Sequence, residues 1–182
     1  MKIKTKRLIL REITMKDCKD LVENINNINV SKWLLFVPCP YRLKDAKWWV
    51  NDCKKKAKEK NSYELVVELR SEKRIIGGIS LRKIDKFQGK ASVGYWTGEK
   101  YWRQGYGSEA LDAILKFAFN KLKLRRIGAG VIAGNPSSGK MLEKFGFKKE
   151  GLKRKACRSK ANKEIYDEYT YGLLKEEWKK IK

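Results

Sequence analysis

Residues 7–13 read RLILREI, apolar and charged side chains in alternation, which is the period of a strand with one buried face. Thr14 and Asp17 follow at capping-box spacing and open a helix whose apolar stripe is Leu21, Val22, Ile25 and Ile28. The next stretch, WLLFVPCPY at 33–41, holds Pro38 and Pro40 and so makes no regular element. It is an apolar, aromatic loop that either packs or walls a pocket. A second helix runs over 44–60, with Ala46, Trp49, Val50, Cys53 and Ala57 on one face.

Strands over 63–69 and 74–81 flank a polar turn at 71–73 and form a hairpin. A polar turn at 85–90 leads to a third strand over 91–97. A long helix spans 105–121, with Leu111, Ile114, Leu115, Ala118 and Phe119 as its core face. An apolar strand over 127–133 comes next. Asn135-Pro136 then starts a short helix, because a first-turn proline gives up an N–H that has no helical partner anyway; Gly146 ends it. Strands over 147–154 and 164–173 pair across a charged loop at 155–163. The order is β-α-α-β-β-β-α-β-α-β-β, about seven strands and about four helices, without linker or repeat. It predicts one mixed α/β domain over residues 1–182, with a mostly antiparallel sheet.

Composition narrows the chemistry. The chain has 182 residues, enough for a sizeable core, with 42% apolar and 36% charged side chains. No apolar run reaches the roughly 18–20 residues a membrane helix needs, and the N-terminus has no signal-peptide core, so a cytoplasmic protein without membrane contact is expected. Cys18, Cys39, Cys53 and Cys157 have no ligand spacing, which points to reduced thiols and no metal. Histidine is absent, which excludes Ser-His-Asp triads and Cys-His dyads; proton transfer must use carboxylates, hydroxyls, water or backbone. The net charge of +23 has two readings, a solvated lysine-rich surface or attraction to anionic partners such as RNA, a ribosome or a coenzyme.

Candidate chemistry centres on Gly105 and Gly107 in YWRQGYGSEA. A dinucleotide fingerprint would need an acid about 20 residues on, and 123–130 read KLRRIGAG. GNPSSGK at 134–140 starts like a P-loop, but the next residue must be Ser or Thr and is Met141. The third reading places a pyrophosphate on backbone N–H groups of 103–108 at a helix N-terminus, with an extended arm along the edge of the 93–97 strand.

VGYWTGEKYWRQGYGSEAL resembles the strand-splay-loop-helix signature of the GCN5-related N-acetyltransferases (GNAT), whose loop reads Q/R-x-x-G-x-G/A; Trp102 stands at the Q/R position. RRIGAGVIAGNPSSGKMLEKFGFKKEGLKR resembles the family's next strand and helix. TKRLILREIT and YTYGLLKEEW are similar to the ends of its RimJ/RimL-type branch, the ribosomal-protein N-terminal acetyltransferases. The resemblance implies a GNAT fold splayed around acetyl-CoA and direct acetyl transfer to an amine, with no metal. It implies that the backbone at Tyr95, Trp96 and Thr97 meets the pantetheine and thioester. Arg103, Gln104, Gly105, Tyr106, Gly107 and Ser108 would hold the pyrophosphate, and Asn135 the pantetheine arm.

Two departures follow. The tyrosine acid of many members falls on Leu142, so the role passes to Ser138, as thiolate stabiliser or acid, unless Ser138 only caps its helix. Where many relatives carry an acid, this chain has Ser92; Glu64, Glu99, Asp167 and Glu168 are the base candidates. The acceptor implied by the branch is a protein N-terminal α-amine of a ribosomal protein. A small amine (aminoglycoside, amino acid or polyamine) and a GNAT-shaped RNA- or ribosome-binding protein are the alternatives. Monomer and homodimer are both open.

Overall fold

The computed structural model describes residues 1–59 and 61–181, without the side chains at 58 and 179–181. Strand β1 (Lys2–Lys4) pairs antiparallel with β2 (Leu8–Glu12). Three helices follow: α1 (Cys18–Ile25), α2 (Ile28–Ser31) and α3 (Leu43–Glu59). Then come β3 (Tyr63–Leu69), β4 (Arg74–Asp85), β5 (Lys90–Thr97), α4 (Tyr106–Lys116), β6 (Arg126–Ile132), α5 (Pro136–Lys144), β7 (Lys148–Arg158), β8 (Ile165–Leu174) and α6 (Lys175–Ile181). The eight strands form one sheet in the order β1-β2-β3-β4-β5-β6-β8-β7, antiparallel at every pair except β5–β6. Among the described residues, no helix is long and apolar enough to cross a membrane.

Strand alternation divides the apolar side chains between two cores. Leu65, Val67, Ile79, Leu81 and Val93 turn to the face covered by α4, where Leu111, Ile114, Leu115 and Phe119 are fully buried. Val66 and Ile75 turn to the other face, against Leu21 and Ile25 of α1 and Ala46, Val50 and Cys53 of α3. Each buried Leu or Ile contributes about 1.5–3 kcal/mol of transfer free energy.

The capping box is present as expected. Asp17 Oδ2 accepts from the Thr14 amide at 2.7 Å and from its hydroxyl at 3.0 Å, while Arg11 grips the same carboxylate through two nitrogens at 2.8 and 2.9 Å. Arg11 also bonds Glu68 on β3 at 2.6 Å, so a single guanidinium ties the start of α1 to the sheet.

Some expectations needed correction. Among the described residues the sheet has eight strands and there are six α-helices, because the three-residue β1, the four-residue α2 and the end helix α6 are too short to show a periodicity. Ile28 is not on the stripe of α1: the chain breaks at 26–27, and Ile28 opens α2 at 44% exposure. Ala57 is exposed rather than on the buried face; Lys60, the predicted end, lies outside the described residues. The 105–121 helix is α-helical only to Lys116 and closes with a π turn at Phe117–Lys121. Strand β7 continues through 155–158, inside the stretch read as a loop, since register shifts against β8 absorb its irregularity.

Burial opposes the charge on Asp17, but the bonds from Arg11 and then from the Thr14 amide outweigh it and hold the carboxyl below its usual range. A lowered carboxyl contributes stability above the unfolded value of about 3.9, lost as pH falls through the folded value. Asp17→Asn is therefore expected to cost on the order of 3 kcal/mol at pH 7 by urea denaturation. The deficit should shrink towards pH 2; a deficit constant with pH would contradict the charge-based account.

Candidate active site

The one parallel pair sets up the site. β5 and β6 pair only over Lys90–Ser92 and Arg126–Gly128. Beyond that they part, because β5 keeps its ladder with β4 and β6 keeps its own with β8. The gap is a cavity of about 1100 Å³ reached by both faces of the sheet, since Val93 and Tyr95 line it from one side and Gly94 and Trp96 from the other. Gly78, opposite Trp96, makes room for that indole: a Cβ there would lie 2.5 Å from Nε1.

One lobe ends on the glycine loop. Among the residues there that line the cavity are Thr97, Trp102, Arg103, Gly105, Tyr106, Gly107 and Ser108. Arg103 and Gly105 are both left-handed, at φ 59° and 78°, a turn that delivers the chain into the start of α4. The first N–H groups of a helix lack helical partners, and its dipole favours an anion there. Trp102 Nε1 donates to the Thr97 carbonyl at 2.7 Å and closes the end of β5. Gln104 is the loop residue that does not line the cavity; its amide nitrogen donates to the Lys100 carbonyl at 2.9 Å.

An N-terminal strap stiffens this loop. Arg7 donates to the Gln104 carbonyl at 2.9 Å and to Glu109 of α4 at 2.7 Å, and stacks 4.4 Å over the Tyr106 ring. Thr5 and the Arg7 amide also donate to Glu109, at 2.6 and 2.8 Å. Sequence reasoning missed Thr5, Arg7 and Glu109: Glu109 lies 104 and 102 residues from the other two, so no local spacing signals the contact. Burial opposes the Glu109 charge, but the bonds from Thr5 and Arg7 outweigh it and hold its carboxyl low.

Opposite the loop, Asn135 caps α5 by accepting from the Ser138 amide at 3.2 Å. The cap is thus Asn135, which leaves the Ser138 hydroxyl to bond the Tyr95 phenol at 2.8 Å. Of the base candidates, Glu64 and Glu168 line the second lobe. Glu64 is held by Arg82 at 2.5 and 2.8 Å. Glu168 folds over Gly130, where a Cβ would sit 2.3 Å from its Oε1. The other two are engaged elsewhere: Glu99 accepts from Asn27 and Asn29, and Asp167 from the Lys155 amide.

A family model for the acetyltransferase (GNAT) domain matches residues 7–148. The chain is a GNAT N-acetyltransferase. It is 36% identical over 180 residues to the uncharacterized N-acetyltransferase YnaD of Bacillus subtilis (strain 168), covering 98% of this chain and 99% of that one. It is 33% identical over 85 residues to the ribosomal-protein-serine acetyltransferase of Escherichia coli (strain K12), 47% of this chain and 48% of that one, in keeping with the RimJ/RimL branch. A GNAT-family acetyltransferase from Bacillus anthracis superposes with a TM-score of 0.83 at 30% identity, covering 97% of this chain and all of that one. A spermidine N-acetyltransferase from Vibrio cholerae, solved with CoA and spermine, shares the fold at a TM-score of 0.79 and 21% identity, covering 96% and 99%.

The GNAT site fits a coenzyme A moiety on its own geometry. The lobe is open along the strand edge, helical N–H groups meet it at one end, and Arg103, Lys140 and Lys144 line it. Leu142, at the position of the absent tyrosine acid, is fully buried. Glu109→Gln should loosen the strap that holds the loop. We expect a loss of about 2 kcal/mol, or about 4–8 °C in thermal midpoint at pH 7. The stability of the lowered carboxyl is fully present above the unfolded value of about 4.3 and is lost as pH falls through the folded value, so the gap between the two proteins should narrow in acid. A gap that stays constant from pH 7 into acid would refute this.

Proposed function

We propose that this GNAT enzyme transfers acetyl from acetyl-CoA to the α-amine of a protein N-terminus, with a ribosomal protein as the substrate class. The observation that carries the reading is the cavity running through the sheet, with an anion cradle in one lobe and a carboxylate-bearing lobe opposite. When bound, acetyl-CoA supplies an activated thioester. The 103–108 loop holds its pyrophosphate through backbone N–H groups, and Arg103 adds charge. The free edge of β5 at 95–97 aligns the pantetheine, Asn135 steadies that arm, and a backbone N–H at the splay steadies the developing oxyanion. Ser138 faces the departing sulfur.

The second lobe receives the acceptor. It is walled by Trp33, Phe36, Trp48 and Trp49. The Lys160 amide donates to the Leu35 carbonyl at 3.0 Å, and Trp33 meets the Tyr166 ring at 6.3 Å between centroids. These contacts bridge the lobe, so an amine enters end-on, as a chain terminus does. An α-amine with pKa of about 8 is roughly one-tenth neutral at pH 7, whereas a lysine near 10.4 is neutral less than about once in a thousand. Glu168 suits the base role, through water: its cationic partner, Lys153, stands off at 3.6 Å, whereas Arg82 holds both oxygens of Glu64 at 2.5 and 2.8 Å. The exposed β7 edge, with Lys149, Arg154, Lys155 and Arg158, offers an acidic partner a docking surface.

A small-amine acceptor is favoured by one feature: Asp45, Glu64 and Glu168 all line this lobe. The overall charge of +23 weighs against a polyamine. The test is thiol release from acetyl-CoA with free-N-terminus peptides, the same peptides blocked but carrying lysine, and small amines. Acceleration by free-N-terminus peptides alone is the expected result; acceleration by small amines alone overturns the acceptor assignment. Gly105→Ala, strained by roughly 1 kcal/mol in a left-handed position, should raise the KM for acetyl-CoA about five- to tenfold and leave the peptide KM unchanged.

A further inference from the structure

The Tyr95 side chain is a feature that the family motif does not account for. The motif assigns this segment a backbone role, yet the phenol leaves β5, crosses the splay and reaches the first turn of α5. Its Oη lies 2.8 Å from Ser138 Oγ and 3.1 Å from the Ser138 carbonyl. Three oxygens share two protons. In one arrangement the serine donates to the phenol and the phenol to the carbonyl, and no proton is left for the cavity. In the other the phenol donates to Ser138 Oγ, and the serine proton is free to point outward.

We propose that Tyr95 is a positioning residue that turns the Ser138 hydroxyl into a fixed donor toward the departing thiolate. Negative charge developing beside Oγ selects the second arrangement, since only that one offers it a hydrogen. The reaction forms a nitrogen–carbon bond at the acceptor and breaks the carbon–sulfur bond. The electron pair of the broken bond stays on sulfur, and the extra amine proton leaves to water. Both hydroxyls keep their protons throughout. Burial, only partly offset by the Ser138 bond, pushes the Tyr95 phenol up to about 12, so it remains a neutral donor over the working pH range. Proton transfer from such a phenol to a thiolate of pKa near 8.5 is uphill, whereas a hydrogen bond is not. The role once assigned to Ser138 alone thus becomes that of a pair contributed by β5 and α5, in place of the tyrosine that Leu142 replaces.

This rests on the acetyl-CoA reading above, and the experiment separates the two. Wild type, Tyr95→Phe, Ser138→Ala and the double variant are titrated with CoA and with desulfo-CoA from pH 6 to 10 by calorimetry, alongside kcat and KM. Thermal midpoints identify any variant that has not folded; Phe keeps the ring packing. We expect wild type to bind CoA with an apparent thiol pKa lowered by binding, Tyr95→Phe to return it towards the free value, and desulfo-CoA to bind all four alike. Tyr95→Phe should lower kcat about tenfold at unchanged acetyl-CoA KM, and should cost nothing further in the Ser138→Ala background. An unchanged thiol titration in Tyr95→Phe, or an equal kcat loss with and without Ser138, overturns the positioning role while leaving the acetyl-CoA reading intact. Absence of CoA binding by wild type overturns both.

Discussion

A three-residue limit on one strand pairing governs this molecule. Among the described residues, β5 and β6 are the only parallel neighbours in the sheet, and their ladder stops at Ser92 and Gly128. Parallel strands need a long crossover, here the glycine loop, α4 and the π turn. That connection puts a helix N-terminus at the end of β5 where the strands part. The gap and the helix N-terminus at its end are therefore consequences of one topological choice. Had the ladder continued, Val93 to Thr97 would spend their N–H and C=O groups on β6, and no edge would remain to receive an extended ligand.

Opening a sheet in its middle costs ladder bonds, and the structure offsets this with long-range anchors around the gap. Trp102 closes the Thr97 carbonyl, Arg7 takes the Gln104 carbonyl, and Glu109 gathers donors from Thr5 and Arg7. On the other face, Asn24 donates to the Ile75 carbonyl, and Gly98 is small because Asn24 occupies the space a Cβ would need. These are mostly charged or charge-assisted bonds, stronger individually than neutral ones and also directional. They hold the loop at left-handed residues that an unsupported chain would not keep.

Much of the fold was legible because periodicity reports burial. The alternation at 7–13 and the stripes of the two long helices correspond to side chains now in two cores. Short elements were not legible: β1 shows three residues and α2 four, fewer than one full pattern. The glycine loop was legible because φ near 78° at Gly105 demands a residue type. The strap was not, since Glu109 reads locally as an ordinary first-turn acid. Its partners are fixed only when β2 lies beside α4.

The same logic explains why Ser138 stood out in the sequence and the Tyr95 side chain did not. N-x-x-S is a spacing within one helix start, and a local motif states a local fact. Tyr95 lies 43 residues away on a strand whose neighbours in sequence already have a backbone role. Its phenol acquires meaning only because β5 leaves β6 and turns that side chain toward α5. A strand that had stayed paired would keep the residue and lose the contact. The separation that opens the cavity thus also brings together the two hydroxyls at the far wall, and neither result can be had by changing α5 alone.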